Sequence, residues 1–215
     1  DIMNWRGMEI DGAIFDMDGT LIDSMGVWRN LPELYARGKG LTPDPRVDDT
    51  IWDQGMLNGA GYLKRIYGID EAPETMVQEM FDLVVRFYQE QVREREGIRQ
   101  ILEELTAGGV RMCIASATDE WMGKHAMERT GLDRYFDRYF CCREVGEGKE
   151  TDRIYQTARA YLGTDVERTV IFEDALYAAR TVSAAGFKLV GIRDAWEPGQ
   201  KELSSLADLY LDWEN

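Results

Sequence analysis

The chain passes from an apolar run to two acidic residues in the segment Ala13-Ile14-Phe15-Asp16-Met17-Asp18-Gly19-Thr20. The apolar run predicts a short buried strand, and the acidic residues predict a loop at its carboxyl end. A plain turn is one interpretation of this loop, since Asp-Gly is a common turn signal. A calcium loop of the helix–loop–helix type does not fit, because its sixth position requires glycine and here it holds Leu21.

A helical region follows the first strand. From about residue 24 to about residue 96, no strand pattern interrupts the helical spacing of apolar residues, which begins with Trp28, Leu31, Leu34 and Tyr35. We expect this region to form an inserted helical domain. Because ligand sites in open α/β sheets lie at the carboxyl ends of the strands, the insert is expected to cover such a site.

The rest of the chain alternates between strand and helix patterns. Strands are predicted at residues 110–115, 139–141, 169–172, 188–192 and 208–211. This alternation predicts a parallel Rossmann-like sheet flanked by helices. The predicted fold class is therefore α/β, with a core formed by residues 1–22 and 93–215 and an inserted all-α domain formed by residues 23–92.

The composition is that of a globular protein with an acidic surface. The 215 residues include 40 acidic and 25 basic side chains, which gives a net charge of −15 at pH 7. Such a surface repels nucleic acid and anionic membranes, and at long range it also repels phosphorylated small molecules. A phosphate site in this chain would therefore need cations of its own. No run of 18 apolar residues predicts a membrane-spanning helix.

The three cysteines, Cys113, Cys141 and Cys142, form a poor disulfide framework, because their number is odd and two are adjacent. We expect reduced thiols in a cytoplasmic protein. A zinc site is not expected, since the only histidine, His125, is predicted to be a surface helix residue far from the cysteines in sequence. Residues 1–7 lack a secretory pattern and precede a second methionine, Met8, so we expect an extension that the fold does not need.

Further polar residues lie at or near the predicted strand ends. Ser116 follows one strand, Glu173-Asp174 follow another, and Lys149 lies in a glycine-rich stretch between them. Singly, each has a structural explanation: a helix cap, a helix N-terminus or a solvated charge. Together with the first acidic pair, they are predicted to bring carboxylates, a hydroxyl and an amine to one edge of the sheet. That combination indicates an active site.

These residues resemble, in order and spacing, the four motifs of the haloacid dehalogenase superfamily. The motifs are Asp16-Met17-Asp18-Gly19-Thr20-Leu21, Ser116, Lys149 and Glu173-Asp174. The resemblance covers nearly the whole chain outside the helical insert, and the insert resembles the cap domain that some members carry after the first motif. Members with this layout include sugar-phosphate phosphatases, phosphoglycolate phosphatases and beta-phosphoglucomutases. The resemblance implies a Mg²⁺-dependent phosphoryl transfer.

The resemblance also implies a role for each carboxylate. Asp16 would be the nucleophile that forms an aspartyl-phosphate. Asp16, Asp174 and the backbone carbonyl of Asp18 would bind Mg²⁺, and Glu173 would support the ion through water. Asp18 would protonate the leaving alcohol and then take a proton from the attacking water.

The phosphoryl group would be held by Lys149, by Ser116 and by the backbone amide of Ala117. Dehalogenases of the superfamily lack an acid two residues after the nucleophile, so the presence of Asp18 favours phosphoryl transfer. The sequence departs from the usual pattern at Ala175, at Ala178 and after Lys149, where the common proline is missing. These departures affect loop details rather than the chemistry.

Two alternatives to an active enzyme carry similar residues. Receiver domains also combine a phospho-accepting aspartate with an acidic pair, a hydroxyl and a lysine, but their acidic pair comes early and they lack a helical insert. Here the pair Glu173-Asp174 comes late. A catalytically silent relative is disfavoured, because all motif residues are present.

Among the enzymes, phosphatase and mutase share the motif residues, and the cap distinguishes them. Trp28, Arg46 and Trp52 are candidates to face the substrate, although aromatic residues at helical spacing usually pack inward. Arg29 and Arg37 are expected to point to solvent. The one candidate for holding a second phosphate, Arg46, is followed by two aspartates. We therefore predict a phosphatase for a small phosphorylated substrate, such as a sugar phosphate, with a beta-phosphoglucomutase-like mutase as the alternative.

Overall fold

The computed structural model describes residues 2–213 and contains two sheets. The strands are β1 (Met3–Trp5), β2 (Met8–Ile10), β3 (Gly12–Phe15), β4 (Arg111–Ser116), β5 (Arg138–Cys141), β6 (Thr169–Glu173), β7 (Lys188–Ile192) and β8 (Leu209–Leu211). Six of them form a parallel sheet in the order β5-β4-β3-β6-β7-β8. The predicted α/β class is confirmed.

Helices cover both faces of the large sheet and form the insert. They are α1 (Met25–Arg29), α2 (Leu31–Gly38), α3 (Met56–Tyr67), α4 (Pro73–Glu90), α5 (Ile98–Ala107), α6 (Glu120–Thr130), α7 (Cys142–Val145), α8 (Arg153–Leu162), α9 (Leu176–Ala184) and α10 (Gln200–Leu206). Short 3₁₀ turns lie at Asp49–Trp52, Leu132–Tyr135 and Val166–Arg168. The described helices are each too short or too polar to cross a bilayer.

Strand β3 lies near the middle of the sheet and is buried along its whole length. Its residues alternate between two cores, because successive side chains of a strand point to opposite faces. Phe15 packs in the core that includes α5 and α6, where its ring stacks on Phe172 at a centroid distance of 4.1 Å. Ile14 packs in the core that includes α8 and α9. Helices on both faces thus explain the continuous apolar run in the sequence.

The helical insert, α1 to α4, leaves the core after β3 and returns before α5. Helix α4 buries one residue per turn, at Met76, Met80, Val84 and Tyr88, and packs against α6 of the core. The outgoing and returning chains meet where the amide of Asp23 donates a hydrogen bond of 2.9 Å to a carbonyl of the returning segment. This meeting point lies next to the predicted domain boundaries at residues 23 and 92, which stay a prediction.

The predicted apolar stripe of the first cap helix is wrong at one position. Leu34 is 41% exposed, whereas Leu31 and Tyr35 are buried. The predicted spacing treats Trp28 to Tyr35 as part of one helix. The structure has two helices here, because α1 ends at Arg29 before α2 begins at Leu31. The break changes the rotation of the second helix, so the spacing from Trp28 no longer identifies its buried face.

The N-terminal segment belongs to the fold, contrary to the expectation of a dispensable extension. Strands β1 and β2 form an antiparallel hairpin whose turn places Arg6 and Gly7 at positive φ. Trp5 is 3% exposed, its ring lies 5.6 Å from that of Phe172, and its Nε1 donates to Glu104 at 2.8 Å. The described part of this segment therefore covers one face of the core next to β6.

Candidate active site

The predicted site residues come together at the carboxyl edge of the parallel sheet. Phe15 at the end of β3 pairs with Ile114 of β4 and with Phe172 of β6, so the residues that follow these strands are neighbours. Seven residues predicted from the sequence line one cavity of about 320 Å³: Asp16, Asp18, Ser116, Ala117, Lys149, Glu173 and Asp174. Residues of the insert line the opposite side of the cavity. The convergence expected from the strand ends is thus present.

Gly19 shapes the loop that follows β3. Its φ is +86°, and a Cβ atom at this position would lie 2.1 Å from Oδ2 of Asp174. A side chain is therefore excluded both by the backbone conformation and by space. The absence of one lets the first acidic loop pass directly beside the acidic pair of β6.

Three buried carboxylates lie together at this edge. Ligand oxygens of Asp16, Glu173 and Asp174 are all within 4.8 Å of one another. Burial, and then the nearby charge of Asp16, raise the pKa of Asp174 well above its usual range and raise that of Glu173 as well. The Oε2 atom of Glu173 is buried without a hydrogen-bond partner among the described residues. Closely spaced oxygen ligands of one charge fit a hard divalent cation such as Mg²⁺.

Thr20 joins two of these carboxylates. Its hydroxyl lies 3.1 Å from Oδ2 of Asp16 and 3.1 Å from Oδ1 of Asp174. No function for Thr20 was predicted from the sequence. Its position directly after the Asp-x-Asp-Gly stretch is the signal from which a role in this loop could have been proposed.

Lys149 supplies the positive charge of the site. Its Nζ donates to Asp16 at 2.7 Å and to Glu173 at 2.6 Å, and the hydroxyl of Tyr155 also donates to Glu173, at 2.5 Å. Burial alone would lower the pKa of Lys149, but the two carboxylates hold it well above its usual value. The ammonium is therefore fixed and charged beside Asp16.

Asp18 is surrounded by hydroxyl groups. Ser24 donates to Oδ1 at 2.6 Å, Tyr88 donates to Oδ1 at 2.5 Å, and Thr118 donates to Oδ2 at 2.6 Å. Burial raises the pKa of Asp18, and the three hydroxyls oppose that rise. Sequence reasoning missed these partners. Thr118 lies two residues after Ser116, but nothing in the sequence connects Tyr88, which comes from α4 of the insert, to Asp18.

Ser116 and Ala117 form the next part of the cavity wall. Ser116 is buried, and its Oγ accepts a hydrogen bond of 3.0 Å from the backbone amide of Thr118. The strand β4 ends at Ser116, and the loop to α6 begins there. Ser116 and Ala117 therefore face the same space as Asp16 and Lys149.

Only one of the three candidate substrate residues of the insert reaches the cavity. Trp28 lines it, and its Nε1 donates to the hydroxyl of Tyr88 at 3.2 Å. Arg46 is paired with Asp44 at 2.6 Å on the surface, and Trp52 does not line the cavity. Trp52 instead packs against the hydrophobic core, which was the alternative expected from its helical spacing.

Comparisons with known proteins agree with the fold and identify the family of the chain. A family model described as haloacid dehalogenase-like hydrolase matches residues 10–186. The phosphorylated carbohydrates phosphatase of Thermotoga maritima is 25% identical over 84% of this chain and 84% of its own length. The phosphoglycolate phosphatase of Agrobacterium fabrum is 24% identical over 84% of this chain and 79% of its own. The structure of Rhodobacter sphaeroides CbbY with xylulose-(1,5)bisphosphate superposes with a TM-score of 0.77, at 20% identity and 94% coverage of both chains.

Proposed function

The chain belongs to the haloacid dehalogenase-like hydrolase family, and on that premise we propose that it is a Mg²⁺-dependent phosphatase of a small phosphorylated metabolite. The reaction proceeds through an aspartyl-phosphate on Asp16. The observation that carries this proposal is the contact of Asp16 with Lys149 beside Glu173 and Asp174, in the cavity that also holds Asp18. The residues that we propose as nucleophile, fixed cation, Mg²⁺ ligands and acid–base group therefore line one cavity.

In the first step, a carboxylate oxygen of Asp16 forms a bond to phosphorus while the bond to the leaving oxygen breaks. Asp18 gives its proton to that oxygen, so the product leaves as a neutral alcohol. In the second step, water attacks phosphorus and Asp18 takes a proton from it. The bond to Asp16 breaks, inorganic phosphate leaves, and both carboxyl groups return to their initial states.

The remaining residues stabilise charge during these steps. Lys149 neutralises Asp16 and the oxygens of the transferring group, while Ser116 and the amide of Ala117 hold those oxygens by hydrogen bonds. The ligands proposed for Mg²⁺ are Asp16, Asp174 and the backbone carbonyl of Asp18, with Glu173 supporting them through water. When bound, the ion supplies the positive charge that allows a phosphate dianion to approach a carboxylate.

The names of the curated relatives support a small phosphorylated substrate. Those relatives are phosphatases of phosphorylated carbohydrates and of phosphoglycolate. We assign residues 23–92 to a cap domain, because the insert closes the cavity over the strand ends. Free thiols, with Cys113 and Cys141 buried, are compatible with a reducing compartment, and we propose the cytoplasm.

The test is hydrolysis of 4-nitrophenyl phosphate by the purified protein. We expect activity that requires Mg²⁺, disappears on complete chelation and returns when Mg²⁺ is restored. Asp16→Asn should abolish turnover while the far-ultraviolet circular dichroism and the melting temperature show a folded protein. Turnover that survives either Asp16→Asn or chelation would contradict the proposal.

A further inference from the structure

The catalytic cavity continues into a chamber whose walls are apolar. The insert contributes Met25, Trp28, Met56 and Phe81, and α6 contributes Met122. We call the space between these five side chains the apolar chamber. It lies on the cap side of Asp18, where the alcohol part of a bound phosphate ester would extend. Its lining therefore bears on which alcohol the enzyme releases.

The chamber offers no free cation to a substrate. Among the described residues that line the cavity, Lys149 is the only lysine or arginine, and its ammonium is already held by Asp16 and Glu173. The other charged side chains among these lining residues are carboxylates, and one of them, Asp119, pairs with Arg143 at 2.9 Å. An anionic group on the alcohol would be desolvated there without a partner, which is costly.

Two aromatic rings, those of Trp28 and Phe81, line one side of the chamber, and Trp121 packs against Phe81 from outside the cavity lining. The rings of Trp28 and Phe81 lie 6.3 Å apart at an interplanar angle of 72°, and those of Phe81 and Trp121 lie 6.3 Å apart at 66°. This edge-to-face arrangement is a favourable one for aromatic side chains, and it supports Phe81 from both sides. Together with three thioethers, these rings provide an adaptable surface for an apolar or planar group.

We propose that the alcohol released by this enzyme is neutral and carries an aromatic or otherwise apolar portion, which the apolar chamber binds. Esters whose alcohol bears a second anionic group, such as a carboxylate or another phosphate, are rejected. This inference rests on the proposed phosphatase function and narrows its substrate class. Phe81 and Met56 are the residues that determine the preference, because they line the chamber and belong to helices of the insert rather than to the strand ends that carry the catalytic groups.

The experiment compares three esters of primary alcohols, so that the acidity of the leaving group is similar. They are 2-phenylethyl phosphate, the monophosphate of butane-1,4-diol and 4-(phosphonooxy)butanoate. We expect kcat/KM for the phenyl ester to exceed that for the carboxylate ester by about 10- to 100-fold, as burial of an apolar side chain of this size would give. The diol ester should lie between them. Equal values, or a preference for the carboxylate, would overturn the inference.

Two variants test the chamber itself. Phe81→Leu should lower the ratio of kcat/KM for the phenyl ester to kcat/KM for the carboxylate ester by about fivefold or more, which follows from losing ring contacts with the phenyl group. Phe87→Leu is the matched control, because Phe87 is half-buried on the same helix but does not line the cavity. Met56→Lys, at a partly exposed position, should raise kcat/KM for the carboxylate ester alone. A Met56→Lys protein with unchanged preferences would contradict the assigned chamber.

The design separates this inference from the proposed function. Hydrolysis of 4-nitrophenyl phosphate that needs Mg²⁺ and Asp16, combined with a preference for the carboxylate ester, would overturn only the inference. Absence of any Mg²⁺-dependent, Asp16-dependent hydrolysis would overturn the proposed function and the inference with it. Melting curves for each variant show whether a loss of activity comes from loss of folded protein.

Discussion

Asp18 occupies an environment that suits proton transfer. The carboxyl group is buried, which raises its pKa, and three hydroxyl groups hold it toward the cavity. A carboxyl that releases a proton to an alcohol and later accepts one from water benefits from a pKa above that of a solvated aspartate. Ser24, Tyr88 and Thr118 fix its orientation. The sequence motif predicted the carboxyl group of Asp18, but only the structure revealed the three hydroxyl groups that donate to it.

Asp18→Asn should slow hydrolysis of alkyl phosphates by about 10²–10⁴-fold, because the alcohol would leave without a proton. With 4-nitrophenyl phosphate, the rate of aspartyl-phosphate formation should fall less than with alkyl phosphates, since nitrophenolate leaves without being protonated. Burst kinetics with both kinds of ester measure that step directly. Asp23→Asn, an exposed carboxylate in the same segment, serves as the control. Equal losses for both esters in the first step would contradict the acid role.

Gly19→Ala should weaken Mg²⁺ binding rather than only strain the backbone. The added Cβ would lie 2.1 Å from Oδ2 of Asp174, so this carboxylate must move. We expect the Mg²⁺ concentration for half-maximal activity to rise about tenfold or more, as displaced metal-site residues commonly cause. Gly40→Ala is the matched control, because Gly40 also has a positive φ, of +73°, but open space around it.

The control variant Gly40→Ala should lower the free energy of unfolding by about 1–2 kcal/mol through backbone strain alone. It should leave the Mg²⁺ dependence of activity unchanged. Urea unfolding measures the first effect and a Mg²⁺ titration of activity the second. An unchanged Mg²⁺ requirement in Gly19→Ala would mean that Asp174 is not a ligand, or that the loop relaxes around the methyl group.

Helix α4 of the insert contacts the candidate active site. Its buried face ends at Tyr88, whose hydroxyl donates to Asp18 at 2.5 Å and accepts from Trp28 at 3.2 Å. Tyr88→Phe removes a hydrogen bond to the Asp18 carboxyl group, which is worth about 1.5–3 kcal/mol once that group is charged, as it becomes when it gives up its proton. We therefore expect kcat for alkyl phosphates to fall about 10- to 100-fold, with a smaller fall for 4-nitrophenyl phosphate.

The control for this helix is Tyr35→Phe. Tyr35 is also buried, and its hydroxyl donates to Glu79 of α4 at 3.0 Å, away from the cavity. A purely structural effect of removing a buried hydroxyl would appear in both variants and for both kinds of ester. A dependence on the leaving group in Tyr88→Phe alone supports positioning of Asp18, and its absence would contradict that role.

The elements that the sequence predicted well are those with a strong local pattern. Strand β7 was predicted at its observed bounds, and the late helices end at glycines that adopt positive φ, such as Gly131 and Gly163. The hairpin β1–β2 was missed, because three-residue strands carry little periodicity and Trp5 is buried by distant parts of the chain. The short helices α7 and α10 were also missed, because four and seven residues carry little helical periodicity. Partners of Asp18 required tertiary information, since Tyr88 lies 70 positions away.

At the scale of the whole molecule, the charge distribution limits what the cavity can accept. The net charge is −15, and the arginines of the early insert pair with local carboxylates: Arg29 with Asp49, and Arg37 with Glu33 at 2.9 Å. Neither arginine lines the catalytic cavity. The motif lysine and the proposed Mg²⁺ therefore carry the attraction for one phosphate group, and the cap adds none for a second.

The lack of arginines and lysines of the insert in the cavity lining favours a phosphatase over a mutase. A mutase must hold a bisphosphate in two orientations, which requires cationic groups in the cap for the phosphate that is not reacting. Arg46, the one candidate from the sequence, is paired with Asp44 at 2.6 Å on the surface and does not line the cavity. We therefore expect water to be the acceptor for the proposed aspartyl-phosphate, and the insert to select the alcohol and shield the first step.

We therefore expect glucose 1-phosphate, incubated with the enzyme, Mg²⁺ and a trace of glucose 1,6-bisphosphate, to yield inorganic phosphate faster than glucose 6-phosphate. Phosphorus nuclear magnetic resonance distinguishes the three species in one sample, and Asp16→Asn provides the baseline. Glucose 6-phosphate that forms faster than inorganic phosphate would contradict the phosphatase assignment. If Arg46 leaves Asp44 and holds the second phosphate in the cavity, Arg46→Ala should abolish that isomerisation while hydrolysis of 4-nitrophenyl phosphate continues.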